Sequence, residues 1–225
     1  MKVCASIGAE TYGLLKRRVG AALKLGADLV ELRLDYLRAL SVEKLRDVVE
    51  GIEDRCILTL RSSREGGLFK GSEAKRIRLL HRLADLKPAY IDVELEALRR
   101  ERGLAEACAG VSLIVSKHSL TNTPSRATLD RWVEEVLSFD GIGKVVTAAR
   151  RFEDNLKVME ALSRAPRGRL IAFCMGELGL ASRILAPLLG SPIFYASLKE
   201  ATAPGQIELS EALRLYRVLN HGGRP

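Results

Sequence analysis

The sequence predicts an α/β protein, a single (β/α)8 TIM barrel spanning residues 1–225 as one catalytic domain. Three observations lead there. Eight apolar, strand-like runs alternate with helix-like segments, and no linker interrupts the alternation. The length of 225 residues is near the roughly 250 usual for that barrel. The open doubly wound sheet is the alternative, but no G-x-G-x-x-G follows the first apolar run.

Strands are expected at residues 3–7, 28–34, 56–61, 90–95, 111–118, 143–148, 170–175 and 193–198. Each is followed by a helix: 11–25, one from near 41, 72–86, one reaching about 108, 125–137, one to about 163, 180–188 and 207–219. Short apolar runs are ambiguous between strand and buried helix. At 111–118 the β-branched Val111, Ile114 and Val115, bounded by Gly110 and the polar SLTNTPS, decide for strand. Ser41 is placed to cap the second helix, with Lys44 and Arg46 on its polar face. The tail at 221–225 is expected to fray.

Composition bounds the function. With 47% hydrophobic and 28% charged residues the chain is globular. MKVCASIG enters a strand directly, with no secretory leader pattern, and no apolar run reaches the roughly 18 residues of a membrane span. A cytoplasmic location without membrane attachment is therefore expected. Cys4, Cys56, Cys108 and Cys174 are too far apart for a zinc site and read as reduced, buried side chains. The net charge of +8, from 36 Lys+Arg against 28 Asp+Glu, fits an anionic metabolite or a nucleic acid. No basic stripe interleaved with aromatics accompanies it, so no nucleic-acid partner is expected.

Charged residues stand where buried strands should be apolar. Glu31 and Arg33 alternate with Leu29, Val30, Leu32 and Leu34, and buried ionised groups are costly unless paired. Two residues apart, they share one strand face, which places both in the barrel mouth. Arg61 ends its run, Asp92 and Glu94 interrupt YIDVELE, Lys144 opens the sixth strand, and His118 closes the fifth. That carboxyl edge is where ligands bind in parallel α/β folds. Arg33 and Arg61 near Lys144 would repel a third cation, and burial would disfavour it further, leaving a neutral amine able to attack a carbonyl.

In order along the chain, ELRLD (31–35), TLRSSREGG (59–67), DVE (92–94), SKHSLTNTP (116–124), the lysine strand at 144, MGELGLASR (175–183) and APGQ (203–206) resemble type I 3-dehydroquinate dehydratase. The resemblance covers essentially the whole chain. It implies an imine between Lys144 and a substrate ketone, with His118 as general acid and base. Glu65 would orient the imidazole. Glu31 and Arg33 would hold ring hydroxyls, Arg61 and Arg183 polar groups including the carboxylate, and Gln206 would close over the site. Ser6 and Thr202 complete the set, Thr202 standing where the family often has serine. The segment after His118 also departs, reading SLTNTP where Asp-Phe is common.

The resemblance further implies a small-molecule substrate, 3-dehydroquinate, in the shikimate pathway of aromatic amino-acid biosynthesis, a homodimer, and no metal or organic cofactor. Two other readings compete. A class I aldolase is also an imine-forming barrel, but one for sugar phosphates wants a Gly-rich phosphate cradle after strands seven and eight. A basic nucleic-acid-binding protein would leave the charged strand interiors without a role.

Overall fold

In the computed structural model, which describes residues 1–101 and 103–221, the apolar runs form eight parallel strands. They are β1 (Lys2–Gly8), β2 (Leu29–Arg33), β3 (Cys56–Thr59), β4 (Tyr90–Glu94), β5 (Ser112–His118), β6 (Ile142–Ala148), β7 (Leu170–Met175) and β8 (Ile193–Ser197). From β1 to β7 each pairs with its sequence neighbour, and β8 pairs with β1, giving the order β7-β6-β5-β4-β3-β2-β1-β8. The result is the expected (β/α)8 barrel. It is nearly closed, and among the described residues the β7/β8 seam carries no ladder.

The outer layer consists of α1 (Tyr12–Leu25), α2 (Val42–Val49), α3 (Glu73–Ala84), α4 (Leu95–Arg100), α5 (Gly103–Ala107), α6 (Arg126–Leu137), α7 (Glu153–Arg164), α8 (Leu180–Leu185) and α9 (Leu209–His221). Hydroxyls of Thr11, Ser41, Ser72 and Ser125 accept backbone N–H groups at the starts of α1, α2, α3 and α6. Each such cap stabilises by about 1 kcal/mol. Gly26 ends α1 at φ +102°, a left-handed conformation that other residues adopt only with strain.

Several boundaries differ from the sequence reading. The helix expected to reach 108 is two, because the backbone turns extended at Glu101; Arg102 lies outside the described residues. Helix α8 stops at Leu185, where Pro187 has no N–H to donate to Arg183 O. The last helix begins at Leu209 rather than 207. Residues 207–208 instead continue beside β8, with Ser197 N–H donating to Ile207 O at 2.8 Å. That helix runs through His221; the rest of the tail expected to fray, 222–225, lies outside the described residues.

Strand alternation separates two apolar regions. Outward residues such as Val3, Val30, Leu58 and Val115 pack under the helices. Inward residues Cys4, Leu29, Ile57, Ile114, Ile171 and Ile193 fill the barrel floor. Burying each of the larger ones stabilises by about 1.5–3 kcal/mol. Two residues further along the strands, the same inward faces carry Ser6, Glu31, Thr59, Asp92, Ser116 and Lys144, all buried. The floor is dry and the layer above it is ionic, so the site rests on a rigid apolar plug.

Candidate active site

Register fixes how the central groups meet. On adjacent β5 and β6, Ser116 pairs with Lys144 and His118 with Val146, so His118 sits one inward layer above Lys144. Among the described residues Lys144 is the one buried lysine. Its Nζ lies 3.0 Å from Asp92 Oδ2, 3.6 Å from Glu31 Oε1 and 4.3 Å from the centre of the Tyr195 ring. This corrects the expectation that cations dominate around it. The nearest charged groups are two carboxylates, and of the two arginines Arg61 meets one of them, Asp92, while Arg33 is paired with Asp35.

Arg61 donates to Ser116 Oγ at 2.7 Å, and its guanidinium pairs with Asp92 Oδ1 at 2.7 Å and Glu94 Oε1 at 3.2 Å. Ser116 Oγ in turn donates to Asp92 Oδ1 at 2.6 Å. Burial opposes ionisation of Asp92, but Arg61 and Lys144 outweigh it and hold the carboxyl well below the usual range. Burial likewise opposes a charged Arg61, and Asp92 and Glu94 reverse the effect, raising its pKa. Arg61 lines the cavity, yet its fork is already engaged. Arg33 is similar, with Nε 2.9 Å from Asp35 Oδ1 and Nη2 2.8 Å from Oδ2. Glu31 accepts from the hydroxyls of Ser6 and Thr59.

His118 is held by one carboxylate oxygen. Glu65 Oε2 lies 2.8 Å from Nδ1 and accepts the backbone N–H of the same histidine at 3.0 Å. Burial, reinforced by Arg61 and Lys144, drives the His118 pKa well below its ordinary value. Burial also raises the Glu65 carboxyl to about 7. The contact has the distance of an ion pair, but both shifts favour uncharged partners. We assign the proton to Nδ1, donating to Glu65, which leaves Nε2 as the basic nitrogen.

Above this layer opens a cavity of about 420 Å³. Lys144, His118 and Glu65 line it, as do Ser6, Glu31, Arg33, Arg61, Arg183, Thr202 and Gln206, so the ten residues given site roles above converge, while Asp92 and Glu94 are not among those lining it. The sequence reading missed the apolar wall of Val146, Phe173, Met175 and Tyr195. Inward apolar residues look like any other core positions, and only a known register would have separated them.

The loop after β8 spans the mouth. Gln206 Oε1 accepts the Thr202 N–H at 2.7 Å, Thr202 Oγ1 lies 2.7 Å from Ser6 Oγ, and Arg33 Nη1 donates to Thr202 O at 3.3 Å. A Cβ at Gly205 would sit 2.5 Å from Gly176 O, so only glycine permits this approach.

Arg183 is the exception among the buried cations of the cavity. Its guanidinium lies 4.3 Å from the Phe173 ring centre, and Nη2 donates weakly to Pro204 O at 3.4 Å. Nε is buried without a partner, and no carboxylate pairs with the group among the described residues. Burial alone brings its pKa down to about 10. It is the fourth of the six residues of α8, and its guanidinium is a buried charge that no carboxylate balances among the described residues.

Chemically the cavity offers a buried primary amine, a neutral imidazole one layer above, and an unmatched guanidinium. Such a set can form an imine with a ketone, move a proton beside it and bind an anion. Among the described residues no group of three or more His, Cys, Asp or Glu is arranged to hold a metal ion, and no helix is long and apolar enough to cross a membrane.

The family model for type I 3-dehydroquinase matches residues 3–222. The 3-dehydroquinate dehydratase of Dehalococcoides mccartyi is 36% identical over 199 residues, covering 87% of this chain and 88% of the relative. That of Methanothermobacter thermautotrophicus is 36% identical over 208 residues, covering 92% of each. Among solved structures, the 3-dehydroquinate dehydratase of Geobacillus kaustophilus superposes with TM-score 0.88 at 26% identity, covering 99% of this chain and 92% of that one. The Aquifex aeolicus enzyme gives TM-score 0.81 at 30% identity, covering 97% and 98%. By sequence across nearly its full length and by fold, this chain belongs to the type I 3-dehydroquinase family.

Proposed function

We propose that this protein eliminates water from 3-dehydroquinate to give 3-dehydroshikimate, the dehydratase step of the shikimate pathway, through an imine on Lys144. The observation that carries the reading is Lys144 itself, a buried amine beneath the His118–Glu65 pair in a cavity with one buried arginine that pairs with no carboxylate among the described residues.

The Lys144 amine adds to the substrate ketone, and loss of water leaves a protonated imine. That cation accepts an electron pair from the neighbouring carbon, so His118 Nε2 can remove a proton too weakly acidic beside a simple ketone. The imidazolium then gives the proton to the hydroxyl leaving from the next carbon. Water departs and a conjugated imine remains. Its hydrolysis releases the enone and restores the amine, so protons and electrons balance without an external oxidant or reductant. Glu65 keeps Nδ1–H in place and steadies the imidazolium when it forms.

Arg183 takes the substrate carboxylate, its unsatisfied Nε supplying half of a bidentate grip. Ser6, Glu31, Arg33, Arg61, Thr202 and Gln206 surround the ring hydroxyls, and Val146, Phe173 and Met175 exclude water. The same proposal includes a homodimer that binds no nucleic acid and works in the cytoplasm. Adding 3-dehydroquinate should produce the ultraviolet absorbance of a conjugated enone, and its absence with folded protein would refute the reading. Light scattering tests the dimer.

A further inference from the structure

The outer helix α3 contributes a side chain that its position on an amphipathic helix would not predict. Among the described residues Arg76 is the largest side chain that is fully buried, at 1% exposure, and it shares its face with Leu80, Leu83 and Ala84. Its Nη1 donates to Leu60 O at 2.9 Å and to Glu94 Oε2, while Nε and Nη2 meet Glu73 at 3.0 and 2.6 Å. Glu94 Oε1 accepts the Ser62 N–H at 2.9 Å and meets Arg61. From Arg61 the contacts continue to Asp92 and Lys144. Charges therefore alternate without a gap from the helix layer to the reactive amine: Arg76, Glu94, Arg61, Asp92, Lys144.

Arg61 is shared between Glu94 and Asp92. If Arg76 is removed, the whole Glu94 charge falls on Arg61 and draws it from Asp92, and the surroundings of His118 become one charge more negative. We propose that Arg76 is a positioning residue of the dehydration site, acting through Glu94, Arg61 and Asp92 to fix the electrostatic surroundings in which Lys144 and His118 work. This rests on the roles proposed above for those two residues. The groups around His118 are Glu65 from the turn after β3, Arg61 following β3, Asp92 and Glu94 on β4, and Lys144 on β6. Its chain neighbour Lys117 meets Glu96 at 3.1 Å and the Trp132 ring, and reaches Glu65 Oε1 at 4.0 Å. Arg76 faces Glu73 and Glu94, with Arg64 and Arg100 acting on Glu73.

The test is Arg76→Met, which keeps an unbranched stem and removes the charge. The acid limb of kcat/KM should move to higher pH by about half a unit or more, because losing a cation favours protonation of His118. Arg76→Lys should return most of the shift. Glu94→Gln should move the limb the opposite way, and the double variant Arg76→Met/Glu94→Gln, which removes one charge of each sign, should bring it back towards wild type. That pair keeps the test decisive where Arg76→Met alone does not fold. An unmoved limb in Arg76→Met, or the same limb in Glu94→Gln as in the double variant, would overturn the proposal even with turnover reduced, since a mere brace would lower activity without changing a titration. Titration of the His118 imidazole by NMR, assigned by its loss in His118→Ala, should show the same shift without substrate. A wild-type protein inactive on 3-dehydroquinate would instead defeat the functional reading and leave this measurement standing.

Discussion

Glu65 Oε2 binds His118 twice, accepting the backbone N–H at 3.0 Å and lying 2.8 Å from Nδ1 of the same residue. One oxygen thus sets where the ring sits and which nitrogen carries the proton. With His118 driven well below its ordinary pKa by burial, Arg61 and Lys144, the free enzyme keeps a neutral base through mildly acid pH. The acid limb of kcat/KM should accordingly fall below about 6.5, the ordinary value for histidine. A limb at or above that value would mean that Glu65 charges the ring at rest.

The same pair shapes stability. The folded chain keeps a proton on Glu65 up to about 7, whereas the unfolded chain releases it above about 4.3. Glu65 therefore makes stability fall as pH rises between those values. His118 acts oppositely, because below about 6.5 the unfolded chain takes up a proton that the folded chain refuses. Glu65→Gln removes the first effect, so its unfolding free energy relative to wild type should improve steadily from about pH 4.5 to 7. Denaturant titrations at several pH values measure this, and a difference independent of pH would be the contrary result.

His118→Ala should lower turnover by about 10²–10⁴-fold, because both proton transfers use the one imidazole. The imine should still form, since Lys144 keeps its Asp92 and Tyr195 contacts. Near-normal turnover would reduce His118 to a side chain that only ties β5 to Glu65.

Borohydride added with substrate or product should inactivate the enzyme and leave a ligand-sized mass on the peptide containing Lys144. The competing lysine, Lys117, does not line the cavity; its Nζ is 3.1 Å from Glu96, beside the Trp132 ring and 4.0 Å from Glu65 Oε1. Labelling there instead would overturn the assignment.

What the sequence made legible followed from anomaly. Glu31, Arg33, Asp92, Glu94 and Lys144 stood out because charge inside an apolar strand is costly, and all are buried in the ionic layer or its rim. Partners were not legible. That Asp92 bridges Arg61 and Lys144 depends on strand register, which a parallel sheet sets through three-dimensional closure and not through any local turn. Phe173, Met175 and Tyr195 were hidden because an apolar wall of a site and an apolar core read alike. Arg76 was hidden for the opposite reason, as an arginine on an amphipathic helix reads as solvent-facing until the fold buries it.

Arg183 should be the principal carboxylate anchor. The reason is electrostatic subtraction. Arg33 is satisfied by Asp35, Arg61 by Asp92 and Glu94, and Lys144 by Asp92 and Glu31. Arg150 is exposed to solvent and donates to Thr121 O, whereas the buried Arg183 has only a ring face and one carbonyl. An arriving carboxylate would meet the unpartnered Nε and repair a cost already present in the free protein. Lysine cannot offer the same planar pair of donors, so Arg183→Lys should lose about 1.5–3 kcal/mol and lower kcat/KM roughly tenfold to a hundredfold. Comparing 3-dehydroquinate with its carboxamide separates this from a general disturbance. Wild type should prefer the acid strongly and the variant much less. An unchanged preference would place the anchor elsewhere, and with Arg61 already engaged by two carboxylates, a displaced anchor would require that network to open on binding.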